Sequence, residues 1–304
     1  MTNEQRMKNL CVPCGKVDVV LDTDAYNEVD DQFAIAYLLR SKEKLNTTAI
    51  YAAPFHNTRS VGAKDGMEKS YDEIFRLLDV LDEKVDVFRG SESFLPDEKT
   101  PVISDAARDL AQRAENYSPE NPLYVIAIAA ITNVASAILL NPKVAENTVV
   151  VWLGGHSCDM HNTMEFNMMQ DVAAARVVMG SGVPLVQLPC FGVVSALTIS
   201  GPELEYWLNG KTPIGTYLTK TVIDEANSYA AGLVWTRCIW DISAVAWMLN
   251  DGDRFMWSRI IPTHMPNYEH QYCTEENAHP MRYIYYIHRD EVFRDVIRKL
   301  ASNN

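Results

Sequence analysis

The chain reads as one α/β domain with a largely parallel central sheet flanked by helices, Rossmann-like in layout, and a helical elaboration at its C-terminal end. Three features of the 304-residue sequence carry that reading. Short apolar, β-branched runs recur at intervals, segments with helical spacing lie between them, and no Pro/Gly/Ser-rich linker or internal repeat splits the chain. The runs are apolar throughout rather than alternating, as strands covered on both faces must be.

Residues 1–16 are expected to form a leader and residues 17–304 the domain. The runs VDVVL (17–21), TTAIYAA (47–53), VDVF (85–88), LYVIAIA (123–129), TVVVWL (148–153) and PLVQLP (184–189) are the expected strands. Helices are expected between them over 31–41, 66–81, 104–116, 134–140 and 171–181, where apolar residues return every three or four positions. Beyond residue 200 the character turns helical (GPELEYWLNG, TPIGTYLTKTVIDEAN, DISAVAWML), and the aromatic segment MRYIYYIH (281–288) reads as an edge strand. In such sheets ligands bind beyond the carboxyl ends of the strands, so the residues that follow each run matter most.

A hydrophobic content of 47% is ample for a buried core. The formal net charge of −13 argues against a nucleic-acid partner, whose binding surface would be basic. No window approaches the roughly 20 apolar residues that a membrane span needs, and the opening MTNEQRMKNLCVPCGK has no apolar stretch after its charges. A cytoplasmic protein that takes a small neutral or cationic ligand is the expectation. The six cysteines do not form a disulfide pattern, and most are expected to be reduced and buried. Cys11-Val-Pro-Cys14 could be half a zinc site or a redox pair, but it has no second pair at metal-ligand spacing.

The densest chemistry lies in VDVVLDTDAYNEVDDQFAIAYLLRS (17–41), where Asp22, Asp24, Glu28, Asp30 and Asp31 crowd between two apolar runs. Helix capping accounts for Asp30 and Asp31 at most. Four aspartates brought to the start of one helix repel, which raises their pKa values, and a divalent cation resolves the conflict. All-oxygen ligands suit calcium or magnesium rather than zinc. A phosphatase of the haloacid-dehalogenase type also places aspartates after a first strand, but its D-x-D-x-[TV] pattern would need Thr or Val where Tyr26 stands.

Beyond this loop, the sequence resembles the nucleoside hydrolase family of inosine-uridine-preferring N-ribohydrolases. Its D-x-D-x-x-x-D-D opening corresponds to DTDAYNEVDD, which carries two extra residues, with Asn27 and Glu28 in place of the usual Pro-Gly. In order along the chain, YAAPFHN (51–57), AITNVASAILLNP (130–142), LGGHSCDMHNTMEFN (153–167) and WDISAVA (240–246) resemble further family segments. The resemblance implies calcium held by the carboxylates of Asp24, Asp31 and Asp241 and the carbonyl of Thr132. It implies Asp24 as the base that activates a water at the cation, with Asp22 supporting the loop from behind. Asp30, Asn57, Glu165 and Asn167 would recognise ribose, with Asp159 or Asn162 a further candidate for the 5′-hydroxyl. Trp240, where some relatives have His, would stack on the base and favour purines. His56, His156 and His161 fall in the same loops and are candidates for the leaving-group acid. The family also implies a nucleoside substrate, a role in purine and pyrimidine salvage, and a homodimer or homotetramer. Since the altered loop could displace Asp24, a non-catalytic member that binds metal and a ribosyl ligand is the alternative.

Overall fold

The computed structural model describes residues 1–274 and 278–302. The expected runs form β1 (Val17–Thr23), β2 (Leu45–Ala52), β3 (Val87–Arg89), β4 (Leu123–Ala127), β5 (Thr148–Leu153) and β6 (Leu185–Leu188). Two ribbons follow, β7 (Thr198–Ile199) with β8 (Arg237–Cys238), and β10 (His264–Pro266) with β11 (Tyr272–Thr274). β9 (Met256–Pro262) and β12 (Pro280–Ile287) complete an eight-stranded sheet among the described residues, in the order β3-β2-β1-β4-β5-β6-β12-β9. Every neighbouring pair is parallel except β12 with β9.

The twelve α-helices of the described residues are α1 (Asn3–Asn9), α2 (Asp31–Leu39), α3 (Ala63–Leu81), α4 (Asp105–Arg113), α5 (Thr132–Leu140), α6 (Lys143–Asn147), α7 (Phe166–Gln170), α8 (Val172–Gly180), α9 (Gly201–Trp207), α10 (Pro213–Ala230), α11 (Ile242–Met248) and α12 (Arg289–Leu300). Successive residues of each central strand point to opposite faces. Leu21, Ile126 and Val151 therefore join the apolar cluster under α2, α3, α10 and α11, while Val20, Val125 and Val150 join the cluster under α4, α5 and α8. Burial on both faces is why these strands read as unbroken apolar runs.

Strand order reverses beside β1. The chain runs outward from β1 to β2 and β3, then crosses back to place β4 on the other flank of β1. The loops after β1 and β4 diverge from neighbouring strand ends, and a crevice opens at such a switch point. The acidic loop occupies the first of these two exits.

The expectations for the 281–288 segment and for the cysteines change. The 281–288 segment is not an edge strand, because β12 lies between β6 and β9. Its register slips between Ile284 and Tyr286, which leaves Tyr285 and Tyr286 both exposed and makes the sequence resemble an edge. The true edge, β9, carries apolar residues at mixed exposure and ends in Pro262, so its pattern is weak. In the 1–16 segment, Thr2 caps α1 by accepting from the Gln5 amide, Leu10 is fully buried, and Gln5 Nε2 and Asn9 Nδ2 each donate to the Pro119 carbonyl at 2.9 Å. All six cysteines are free thiols, but only Cys190 is buried; Cys11, Cys14 and Cys273 are exposed.

A sheet covered on both faces makes a definite prediction. Leu123→Ala and Ile126→Ala, which empty sites in opposite clusters, should each lower stability in urea unfolding by about 2–5 kcal/mol. A large loss for only one of them would mean that one face is poorly packed.

Candidate active site

β1 delivers Asp24 one residue past its end, and α2 begins seven residues later at Asp31. Asp30 stands at the N-cap of α2, yet its side chain makes no capping hydrogen bond. Instead Asp30 Oδ2 accepts from the Trp240 backbone N–H at 3.1 Å. Asp31 Oδ1 accepts from the Thr23 hydroxyl. Asp241, at the start of α11, likewise makes no capping bond, and one carboxylate oxygen from each of Asp30, Asp31 and Asp241 lies within 4.8 Å of the others. Both carboxylate oxygens of Asp24 are buried and have no partner among the described residues.

Such a cluster is electrostatically incomplete. Burial raises the pKa of Asp24 well above the usual range, and Asp31, Asp30 and Glu28 push it further. Burial likewise raises Asp30 and Asp241, each reinforced by its acidic neighbours, and lifts Asp31 to about 6. These donors fit a hard divalent cation: they are all oxygen, buried and convergent, and the Asp24 carboxylate lacks any other counterpart.

The acids form one wall of a cavity of about 320 Å³. His156, Phe191 and Trp240 line the same cavity. The Phe191 ring meets Trp240 edge-on at 5.5 Å between centroids and lies 4.9 Å from the His156 ring. Burial lowers the His156 pKa, which favours the neutral ring. Phe191 escaped the sequence reading, although an aromatic residue just after β6, half exposed in a cavity, has the position of a ligand contact.

Glu165 and Asn167 also line the cavity. Glu165 caps α7, accepting from the amides of Gly155 (2.7 Å), Asn167 (2.9 Å) and Met168 (2.9 Å). Gly155 has φ +76°, and a Cβ there would come within 2.2 Å of the Tyr272 hydroxyl, so the chain can approach Glu165 only as glycine. Asn167 Nδ2 donates to the Leu153 carbonyl at 3.0 Å, tying α7 to the end of β5.

Other expected residues lie elsewhere. Thr132 does not line the cavity: it opens α5, and its hydroxyl donates to Asp171 Oδ2 at 2.6 Å. Ile128 lines the cavity instead, because β4 ends at Ala127 and the chain leaves the sheet there, four residues before the helix. Asn57 is also absent from the lining; its Nδ2 donates to Asn27 Oδ1 at 2.6 Å, and Asn27 is the residue that faces in. Asp22 lies behind the wall, accepting from Asn133 Nδ2 at 2.8 Å while its Oδ2 is buried without a partner among the described residues, and burial lifts its pKa to about 7. Asn133 was missed in the sequence, yet its Oδ1 also takes the Ser91 amide at 2.8 Å, which joins β1, α5 and the segment after β3. His56, His161, Asp159 and Asn162 do not line the cavity; the first three are exposed, and Asn162 caps the Met164 amide. Glu28, without a role from sequence, lines the mouth and pairs with Arg237.

Two measurements test this geometry. Glu165→Ala strips the acceptor from three backbone amides and should destabilise the fold by about 2 kcal/mol or more in urea unfolding. For His156, the folded pKa lies below the unfolded value near 6.5, so its contribution to stability is complete above that value and is lost as pH falls below it. Thermal midpoints between about pH 7 and 5 should drop more steeply for the wild type than for His156→Phe; parallel slopes would exclude His156 as the cause.

Comparison with known proteins sets this geometry in a family. No curated protein sequence matches the chain. Among solved structures, a plant nucleoside hydrolase shares 16% identity at a TM-score of 0.74, over 94% of this chain and 99% of that one. A purine-preferring ribonucleoside hydrolase from Gardnerella vaginalis shares 18% at 0.74, over 93% and 98%. The type III effector protein XopQ, solved with adenosine diphosphate ribose, shares 18% at 0.65, over 98% and 96%. At these identities the likeness is one of fold. The family model for inosine-uridine preferring nucleoside hydrolases matches residues 19–282, from the first strand through the aromatic wall to β12, and the chain belongs to that family.

Proposed function

We propose that this nucleoside hydrolase cleaves the N-glycosidic bond of ribonucleosides, giving ribose and free base, with calcium as its cofactor and a preference for purines. The observation that carries the proposal is the Asp24 carboxylate, buried with two unpartnered oxygens beside three convergent carboxylates. Asp24, Asp31 and Asp241 would hold the cation. When bound, a hard divalent cation offsets their charge and makes a water more acidic.

Hydrolysis at C1′ proceeds through a sugar with oxocarbenium character, so the site must remove a proton from water and stabilise positive charge on the ring. Asp24 would be the base for that proton, since neither of its oxygens accepts a hydrogen bond from the described residues. The surrounding carboxylates favour a developing positive charge. Asp30, Glu165 and Asn167 offer polar atoms at the wall where ribose hydroxyls would bind, while Asp22, held by Asn133, fixes the strand end behind them. Trp240 and Phe191 present rings to a base, and purines offer the larger stacking area. On the same reading the protein is a cytoplasmic salvage enzyme that works as a homodimer or homotetramer. Among the described residues no helix is long and apolar enough to cross a membrane. The family assignment leaves a phosphatase without support.

One observation favours the second reading, a non-catalytic binder of ribosyl ligands: the inserted Asn27 and Glu28 line the cavity beside Asp24. Release of reducing sugar from inosine, adenosine and uridine decides between the two. We expect turnover that chelation abolishes and calcium restores. Asp24→Ala should reduce kcat by about 100-fold or more. Trp240→Ala should weaken transition-state binding of purine nucleosides by about 1–3 kcal/mol and change uridine less. Binding of nucleosides with no sugar release under any metal would establish the binder instead.

A further inference from the structure

Asn27, from the acidic loop with its two extra residues, lines the cavity, whereas Asn57, the expected ribose contact, does not. Asn57 is half-buried and bonded within the protein: its Nδ2 donates to Asn27 Oδ1 at 2.6 Å, and its Oδ1 accepts from the Arg59 amide at 2.8 Å. That first bond also orients the Asn27 amide, because an oxygen must face Asn57 and the nitrogen must face the other way. Asn27 is only 7% exposed, lines the cavity, and has no acceptor for its Nδ2 among the described residues.

The loop that carries Asn27 is held from several sides. Asn27 donates its own amide to the Asp24 carbonyl at 2.7 Å, which links it directly to the acid beside it. One residue on, Glu28 pairs with Arg237 of β8, Arg237 Nε lies 3.6 Å from Glu225 Oε2 of α10, and Glu225 pairs with Arg59. Arg59 returns to the loop, its Nη1 donating to the Glu28 carbonyl at 3.4 Å. This closed run of alternating charges draws on the acidic loop, the segment after β2, α10 and β8. Its formation depends on Glu28, so the same loop supplies both a cavity-lining amide and the ion pairs that brace it.

We propose that Asn27 is a substrate-binding residue of this enzyme, donating from Nδ2 to one ribose hydroxyl, with Asn57 acting as the positioning residue that orients it. The proposal rests on the ribosyl-ligand reading of the cavity, and not on turnover. A buried donor that loses its acceptor is penalised, so the contact discriminates against a sugar that lacks the hydroxyl.

The test is calorimetry on the full chain with 9-deazainosine, whose carbon–carbon glycosidic link resists hydrolysis, and with its 2′-, 3′- and 5′-deoxy forms. Asn27→Ala should weaken the parent ligand about tenfold, and that penalty should vanish for one deoxy form, which identifies the hydroxyl. Asn27→Leu keeps the side-chain volume and loses the donor without adding charge; it should show the same selective loss and serves if the alanine variant does not fold. An equal penalty for every analogue would reduce Asn27 to loop packing, and no penalty, or no binding by the wild type, would also overturn the proposal. Inosine hydrolysis, assayed in parallel, separates the two ideas: a wild type that binds without turnover removes the hydrolase reading and leaves the contact to be judged by the binding data.

Discussion

Everything at the switch point follows from like charges sharing one buried volume. Two unit charges about 4 Å apart repel by roughly 4 kcal/mol at an effective dielectric of about 20. Three or more such pairs would match the whole stability of an ordinary domain, about 5–15 kcal/mol. Asp24, Asp30, Asp31 and Asp241 cannot all stay ionised there without a cation, and protonating them would forfeit the chemistry for which carboxylates are suited. The fold tolerates the arrangement because its supports lie outside the cluster. The Thr23 hydroxyl holds Asp31, the Trp240 amide holds Asp30, and Asn133 holds Asp22.

The scaffold explains why those supports can be so sparse. β1 is central, flanked by β2 and β4 and covered on both faces, so the last residue before the acidic loop leaves a rigid platform. Glu165 is anchored in a different way: three backbone amides converge on its carboxylate at the start of a short helix, against a glycine that admits no side chain. Burial still raises its pKa, which shows how much desolvation even three donors must offset.

Much of this was legible in the sequence, for identifiable reasons. The six parallel strands were visible because burial on both faces leaves an unbroken apolar record. The acidic loop was visible because Asp22, Asp24, Asp30 and Asp31 exceed anything that capping can use. What escaped was relational. Nothing local distinguishes Thr132 from Ile128 as the residue at the cavity, since that depends on where β4 stops. Asn57 sits in a loop that resembles a ribose contact, but its amide turns to Asn27, a residue 30 positions earlier. β9 was hidden by its weak edge pattern, and Asn133 by having a role defined only through its neighbours on other strands.

Trp240 takes part twice, through its ring in the aromatic wall and through its backbone N–H on Asp30. Both contacts belong to one residue, so a backbone shift at Trp240 would move the aromatic ring and the amide that holds Asp30 together. By thermodynamic reciprocity, whatever cation occupancy does to the affinity for the base, base occupancy must do to the affinity for the cation. On the proposed reading, one residue would then link the site of the cofactor to that of the leaving group.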